Sequence, residues 1–124
     1  MGFIVSFTSL VVAPLFGQCL PTKLVPQDAA PGDRFGTSVA ADGTFAIIGA
    51  PGTVKNGASI GAAYVFHVDD GSWFEQAKLV PDGAGPSAMF GQSVAMSAGV
   101  AVVGAPGDTH DGAATGAVYV FRLE

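Results

Sequence analysis

The sequence predicts an all-β fold in which one set of short antiparallel strands occurs twice. Residues 23–69 align without a gap on residues 78–124, at an offset of 55 residues and with 23 identities in 47 positions. Eighteen glycines and eight prolines interrupt short apolar runs, a pattern typical of strands joined by turns. Strand sets repeated at a fixed period are the plan of radial or stacked antiparallel sheets, such as β-propeller blades. A continuous β-sandwich is the alternative, but it would not require so strict a period.

Each repeat divides into four strand-like runs with turn signals between them. In the first repeat we expect strands at 22–25, 35–41, 44–50 and 62–68. Asp42-Gly43 is the predicted two-residue hairpin turn, and Pro51 ends the third strand because proline has no N–H to donate to a neighbouring strand. The turn at 69–71 leads into a run at 73–80, where the cycle restarts.

The third run of each repeat is apolar on both faces. In the first repeat one face has Phe45, Ile47 and Gly49 and the other has Ala46, Ile48 and Ala50. In the second repeat Val100, Val102 and Gly104 alternate with Ala101, Val103 and Ala105. A strand that is apolar on both faces has to be covered on both. We therefore expect these two strands to lie inside a stack of sheets.

The acidic charge balance excludes one class of partner. The chain has ten acidic and five basic residues, all of them after residue 22, which gives a formal charge of −5. Such a surface would repel the phosphates of a nucleic acid rather than neutralise them. We expect no nucleic-acid partner, and solubility is the simplest explanation of so modest a charge.

Residues 1–19 form an apolar segment outside the repeat. The run from Phe3 to Gly17 is short for a bilayer span and no stop-transfer charge follows it, so it predicts a secretory signal peptide. It lacks a preceding Lys or Arg, and a first strand of the fold is the alternative. Cys19 is the single cysteine, which excludes a disulfide within the chain, and Gln18 before it disfavours a lipoprotein anchor. We expect a chain that is secreted or displayed at the cell surface.

Three motifs recur in both repeats and resemble the FG-GAP repeat family, which includes the propeller of the integrin α-subunit and many secreted bacterial proteins. The motif residues are Phe35, Gly36, Gly49, Ala50 and Pro51 in the first repeat, and Phe90, Gly91, Gly104, Ala105 and Pro106 in the second. The third motif is residues 61–66, which recurs at 116–121. The resemblance implies propeller blades of four antiparallel strands, in which the leading strand of each repeat completes the blade before it. We interpret these motif residues as packing elements rather than as a binding site.

Calcium is bound by some members of that family, in the loop between the second and third strands. Calcium needs several converging oxygen ligands. The corresponding loops, 40–44 and 95–99, contain one carboxylate, that of Asp42, and none, respectively. We therefore expect no calcium at these loops and no other cofactor.

The remaining candidates for metal ligands are Asp108, His110 and Asp111. The equivalent loop of the first repeat, residues 52–57, has no acidic residue, so a polar Asp-Gly turn is the simpler interpretation and we expect no metal. Neither these side chains nor the scattered serines form a constellation suited to hydrolysis. The sequence thus predicts no catalytic residue and no enzyme.

We expect a signal peptide at 1–19, a first blade with its leading strand at 20–77, and a second blade without its last strand at 78–124. Propellers have four to eight blades, so two repeats leave unpaired edge strands at both ends. Three outcomes stay open: a compact two-blade unit, a ring closed as a homo-oligomer through those edges, or a fragment of a longer product. The leading functional hypothesis is an exported, non-enzymatic binding or adhesion module for a protein or carbohydrate ligand. Propellers usually bind ligands on loops at one rim, which we expect here at 27–34, 52–60, 84–89 and 107–115. The alternative is an accessory propeller of a larger secreted protein or enzyme.

Overall fold

A computed structural model describes residues 20–123, in which every regular element is a β-strand. In chain order the strands are β1 (Ser38–Asp42), β2 (Phe45–Ala50), β3 (Val54–Lys55), β4 (Ala58–Ser59), β5 (Ala62–Asp69), β6 (Ser72–Leu79), β7 (Ser93–Ser97), β8 (Val100–Ala105), β9 (Thr109–His110), β10 (Ala113–Ala114) and β11 (Ala117–Arg122).

The strands form two blades, and each blade carries a short hairpin. The first blade is a four-stranded sheet in the order β1-β2-β5-β6, and the second is a three-stranded sheet in the order β11-β8-β7. All strand pairs in both sheets are antiparallel. The prediction of an all-β fold with antiparallel blades is confirmed. The strand β6 leads the second repeat and completes the first blade, and it spans the expected domain boundary at residues 77 and 78.

The predicted leading strand at 22–25 is wrong, because these residues form no strand. Its equivalent in the second repeat lies in β6, which pairs along β5. Within residues 20–123 no earlier sheet offers such an edge to residues 22–25. Instead Leu24 packs against the outer face of the first blade, and the amide of Gln27 donates a hydrogen bond to Glu75 Oε1 at 2.8 Å.

Three local expectations also differ from the structure. The first hairpin turn is Gly43-Thr44 rather than Asp42-Gly43, because Asp42 pairs with Phe45 and Gly43 takes the positive φ of 60°. The strand β1 begins only at Ser38, because the preceding residues form a turn closed by a hydrogen bond from Thr37 N to Arg34 O. The loop at 52–60 contains the hairpin β3–β4.

Two apolar clusters form the core. The larger lies between the blades, where Ile47 and Val65 of the first blade meet Phe90 and Val103 of the second. The other covers the outer face of the first blade. Its buried members are Ile48, Ala50, Ala62, Tyr64 and Phe66, against which Leu24, Phe35, Ala46, Trp73 and Val80 pack.

The expectation that the third strand is covered on both faces is confirmed for β2 and wrong for β8. Four consecutive residues of β2 are buried, from Ile47 to Ala50. In β8 the burial alternates: Ala101, Val103 and Ala105 are buried, whereas Val100, Val102 and Gly104 are only half-buried. The physical reason is that no third sheet covers this face within the described part of the chain.

The blades are held together by a close approach of two backbones, which we call the interblade joint. It comprises Ser38, Gly49 and Gly61 of the first blade and Phe90-Gly91 of the second. Phe90 is fully buried, and its amide donates to the carbonyl oxygen of Ile60 at 2.9 Å. The hydroxyl of Ser38 donates to the carbonyl oxygen of Gly91 at 2.8 Å. A Cβ at Gly49 would overlap that same Gly91 carbonyl, so only glycine permits this distance between the blades.

We expect the substitution Gly49→Ala to separate the blades locally and to destabilise the chain by about 1–3 kcal/mol, as overpacking typically does. The matched control is Gly104→Ala at the equivalent position of the second blade. There the added methyl group would meet only the Ser93 hydroxyl, which can rotate away. Urea unfolding at low protein concentration measures both effects. Equal unfolding midpoints for the two variants would contradict the role of the joint.

Candidate functional site

A groove opens between the two blades at one rim. On one side it is lined by the hairpin β3–β4, and on the other by residues 81–86, which precede the Phe-Gly motif of the second repeat. Its volume is about 310 Å³, close to the lower end of the range for small-ligand pockets. Its lining residues are Lys55, Asn56, Ala58, Ile60, Pro81, Asp82, Gly83, Ala84 and Pro86.

Local backbone contacts fix both walls of the groove. The hairpin turns at Asn56 and Gly57, which both have positive φ, and its base is closed by a hydrogen bond from Gly61 N to Thr53 O at 2.9 Å. On the opposite wall Pro81 is buried, and the amide of Gly85 donates to Asp108 Oδ1 at 3.0 Å. The rim loops predicted at 52–60 and 84–89 therefore contribute to one site.

The groove combines an apolar interior with charged margins. Ile60 and Ala84 are half-buried and pack against the interblade cluster. Lys55 and Asp82 are exposed and bring one positive and one negative charge to the lining. This arrangement can bury an apolar group while it orients charged neighbours of that group.

Asp108, the first of the predicted metal candidates, points inward and serves the fold. Its side chain is buried, with 2% of the residue exposed. Its Oδ1 accepts hydrogen bonds from the amides of Gly85 and Thr109, and its Oδ2 accepts one from the hydroxyl of Tyr119. Burial alone would raise the pKa of Asp108, but these donors outweigh it and hold the pKa below its usual value. The same contact raises the pKa of Tyr119 to about 12, with burial as the second cause.

His110 and Asp111 point the other way, into solvent. Both side chains are largely exposed, and His110 Nε2 lies 3.3 Å from Asp111 Oδ2. The structure therefore does not bring the three candidates together. Among residues 20–123 no group of three or more His, Cys, Asp or Glu side chains is arranged to hold a metal ion. The interpretation of this loop as a polar turn stays a prediction.

Asp42, the one carboxylate in the loop where some family members bind calcium, is also engaged in a structural contact. Asp42 Oδ2 accepts a hydrogen bond from the amide of Ala98 at 2.7 Å. This contact joins the hairpin turn of the first blade to that of the second. Asp42 thus belongs with the contacts that hold the two blades in register.

The sequence reasoning missed a second tyrosine–aspartate contact, between the buried Tyr64 and the exposed Asp28. The hydroxyl of Tyr64 donates to Asp28 Oδ1 at 2.8 Å, and Lys78 Nζ lies 2.5 Å from Asp28 Oδ2. Lys78 and then Tyr64 lower the pKa of Asp28, while burial and then Asp28 raise the pKa of Tyr64. The repeat alignment contained a signal for this pair. Tyrosine occurs at the same position in both repeats, but neither acid does, since Asp28 aligns with Gly83 and Asp108 with Thr53. Each repeat therefore holds its tyrosine with one acid, taken from a different loop.

None of the repeated motif residues lines the groove. Ala50, Pro51 and Ala105 are buried, and Pro106 is exposed. Phe35 contacts the rings of Tyr64 and Phe66 edge to face, as Phe90 does with Tyr119 and Phe121. The interpretation of the motif residues as packing elements stays a prediction.

We expect Asp108→Asn to reduce stability near pH 7 by about 1–3 kcal/mol, because a buried charged acceptor of three hydrogen bonds is lost. The folded pKa of Asp108 lies below the unfolded value of about 4, so its contribution is present above that pH and is lost as the pH falls further. When the pH is lowered from 7 to below about 4, the free energy of unfolding should therefore fall less for the variant than for the native chain. Urea unfolding at a series of pH values measures this difference.

The control for this variant is Asp111→Asn, at an exposed side chain in the same loop. It should leave the unfolding midpoint near pH 7 unchanged, because no buried contact is removed. An Asp108→Asn variant with the same stability as the native chain at every pH would contradict the structural role of this carboxylate.

Comparison with known proteins agrees with this architecture. Within residues 20–123 there is no helix of the length and apolar character needed to cross a membrane. A search of curated proteins found no match to the sequence. The family model described as FG-GAP repeat matches twice, at residues 21–66 and 73–121, so that each match covers most of one repeat. The chain belongs to the FG-GAP repeat family.

Proposed function

We propose that the chain is an exported, non-enzymatic binding module with a role in adhesion, and that the groove between its blades takes an extended segment of a protein ligand. The observation that carries this proposal is the groove itself. It is the place where two predicted rim loops meet over an apolar interior. Rigid sheets position these loops, as in many binding proteins that carry their contact residues on loops.

The chemistry of the lining favours a peptide over a carbohydrate. An apolar side chain of the ligand can enter between Ile60 and Ala84, and flanking charges of the ligand can pair with Lys55 and Asp82. Burial of one apolar side chain contributes about 1.5–3 kcal/mol. None of the groove's lining residues is aromatic, so the described groove offers no ring on which a sugar could stack.

The contacts of the polar side chains support a role without catalysis. Both oxygens of Asp108 accept hydrogen bonds within the fold, and Asp42 accepts one from the neighbouring blade. His110 lies next to Asp111 in solvent, away from any enclosed site. A general base needs a positioned substrate within hydrogen-bond reach, and this exposed pair provides no such enclosure.

Export is supported by two features. Residues 1–19 carry the apolar run expected of a secretory signal, and they lie outside the residues that the structure describes. FG-GAP repeats also occur in extracellular proteins, the setting in which an adhesion ligand would be met. The expected localisation is the medium or the cell surface.

We expect peptides selected from a displayed random library on the purified chain to lose more than about tenfold in affinity when the groove is filled by Ala58→Arg. Ala58 lies in β4 and lines the groove. The matched control is Ala113→Arg at the equivalent position in β10, which is exposed and lies outside the groove. Fluorescence anisotropy with the selected peptides measures both affinities.

Two results would contradict the proposed ligand. Selected peptides that bind Ala58→Arg as tightly as the native chain would place the binding site elsewhere. A chain that selects no peptide but binds a panel of immobilised glycans would make a carbohydrate the ligand instead.

A further inference from the structure

We propose that the open face of the second blade is a docking surface for the outer face of the first blade of another copy of the chain. This open face comprises Ala95 of β7, Val102 and Gly104 of β8, and Val118 and Val120 of β11. Val118 and Val120 are 65% and 68% exposed. An apolar patch of this kind marks an interaction surface in a soluble protein.

The proposed contact between two copies has the same form as the contact between the two blades within one chain. Within the chain, the first blade receives the second blade on the face formed by Ile47, Ala63 and Val65, all fully buried. At the offset of 55 residues these positions correspond to Val102, Val118 and Val120 of the open face. All three positions stay apolar, and their total side-chain volume changes little. Val102 is smaller than Ile47, but Val118 is larger than Ala63.

The polar contacts of the joint have counterparts on the open face as well. Ser38, whose hydroxyl holds the Gly91 carbonyl, corresponds to the exposed Ser93. The carbonyl of Ile60, which accepts from Phe90 N, corresponds to that of Thr115. Gly49, which admits the Gly91 carbonyl, corresponds to Gly104. A Cβ on Gly104 would contact only atoms of Ser93, so the space taken by the neighbouring blade at Gly49 is open here.

The outer face of the first blade offers the matching surface. Phe90 and Gly91 are buried in the joint, whereas the equivalent Phe35 is half-buried and Gly36 is exposed. Val39 is 68% exposed, while its equivalent Val94 packs against the interblade cluster. Gly36 and Val39 are thus exposed to solvent in the first blade, and Phe35 in part, whereas their equivalents in the second blade lie at the interblade contact.

The occupant is a second copy because the internal interface is head to tail. Such an interface uses two different surfaces, and residues 20–123 leave one of each kind without a docked blade. A repeated head-to-tail contact closes into a ring when the rotation permits it. Propellers have four to eight blades, so a closed ring would contain about two to four copies of this two-blade chain. The contact runs through the sheet faces and is distinct from strand pairing at the sheet edges.

The test is the solution mass of the purified full chain over a range of concentrations, measured by light scattering and sedimentation velocity. We expect the native chain to assemble. Val120→Asp on the open face and Val39→Asp on the outer face should each weaken assembly by more than about tenfold, because a charge is buried without a partner. Both positions are exposed within the chain, so the fold should be unaffected. Val54→Asp, at an exposed valine of β3, is the control and should assemble like the native chain.

Two further arms separate this contact from other modes of assembly. An equimolar mixture of Val39→Asp and Val120→Asp should form a dimer of one chain of each, since each variant keeps the face that the other lacks. Gly104→Ala should lose assembly while its unfolding midpoint at low protein concentration stays unchanged. Since β8 lies in the middle of its sheet, this loss would come from the sheet face and not from pairing at a sheet edge. A native chain that stays monomeric at the highest concentration would overturn the proposal. So would a mixture that stays monomeric, or a Gly104→Ala variant that assembles like the native chain.

Discussion

The approach of Gly49 to the carbonyl oxygen of Gly91 sets the distance between the two blades. At that distance the ring of Phe90 is fully buried and its amide reaches the carbonyl of Ile60. The Phe-Gly half of the motif and its Gly-Ala-Pro half therefore meet across two different blades. The Phe-Gly pair of one repeat completes the packing of the glycine-rich strands of the repeat before it. A single repeat cannot bury these residues by itself, as is general for repeat architectures.

The joint also decides which surfaces are left for binding. It places the hairpin β3–β4 beside residues 81–86, and the groove between them exists because the two blades meet there. Because the joint is head to tail, it leaves the open face of the second blade exposed within residues 20–123, and on the outer face of the first blade it leaves Val39 exposed. Ligand binding and assembly thus use different surfaces, one at the rim and one on the sheet faces.

The sequence predicted the features that depend on local pattern and on the repeat. Alternating apolar residues located the main strands, and the period of 55 residues predicted two equivalent blades. The resemblance to FG-GAP repeats implied that the leading strand of the second repeat completes the first blade, as β6 does. It failed where a residue's environment depends on what lies beside it. Residues 22–25 resemble residues 77–80 at the end of β6 but have no neighbouring strand to pair with. Val102 occupies the position equivalent to Ile47, but no blade covers it within the described residues. The inward direction of Asp108 depends on Tyr119 and Gly85, which no local pattern brings together.

Native-state hydrogen exchange at the amide of Phe90 tests the joint most directly. This N–H donates to Ile60 across the joint, so it is protected only while the two blades are docked. We expect it to exchange as slowly as the buried amides of β2, in a single cooperative unit with both sheets. Exchange of Phe90 at the rate of an exposed loop amide such as Gly83, while β2 and β8 remain protected, would contradict the account. It would mean that each blade is stable without the other and that the repeated glycines do not hold them together.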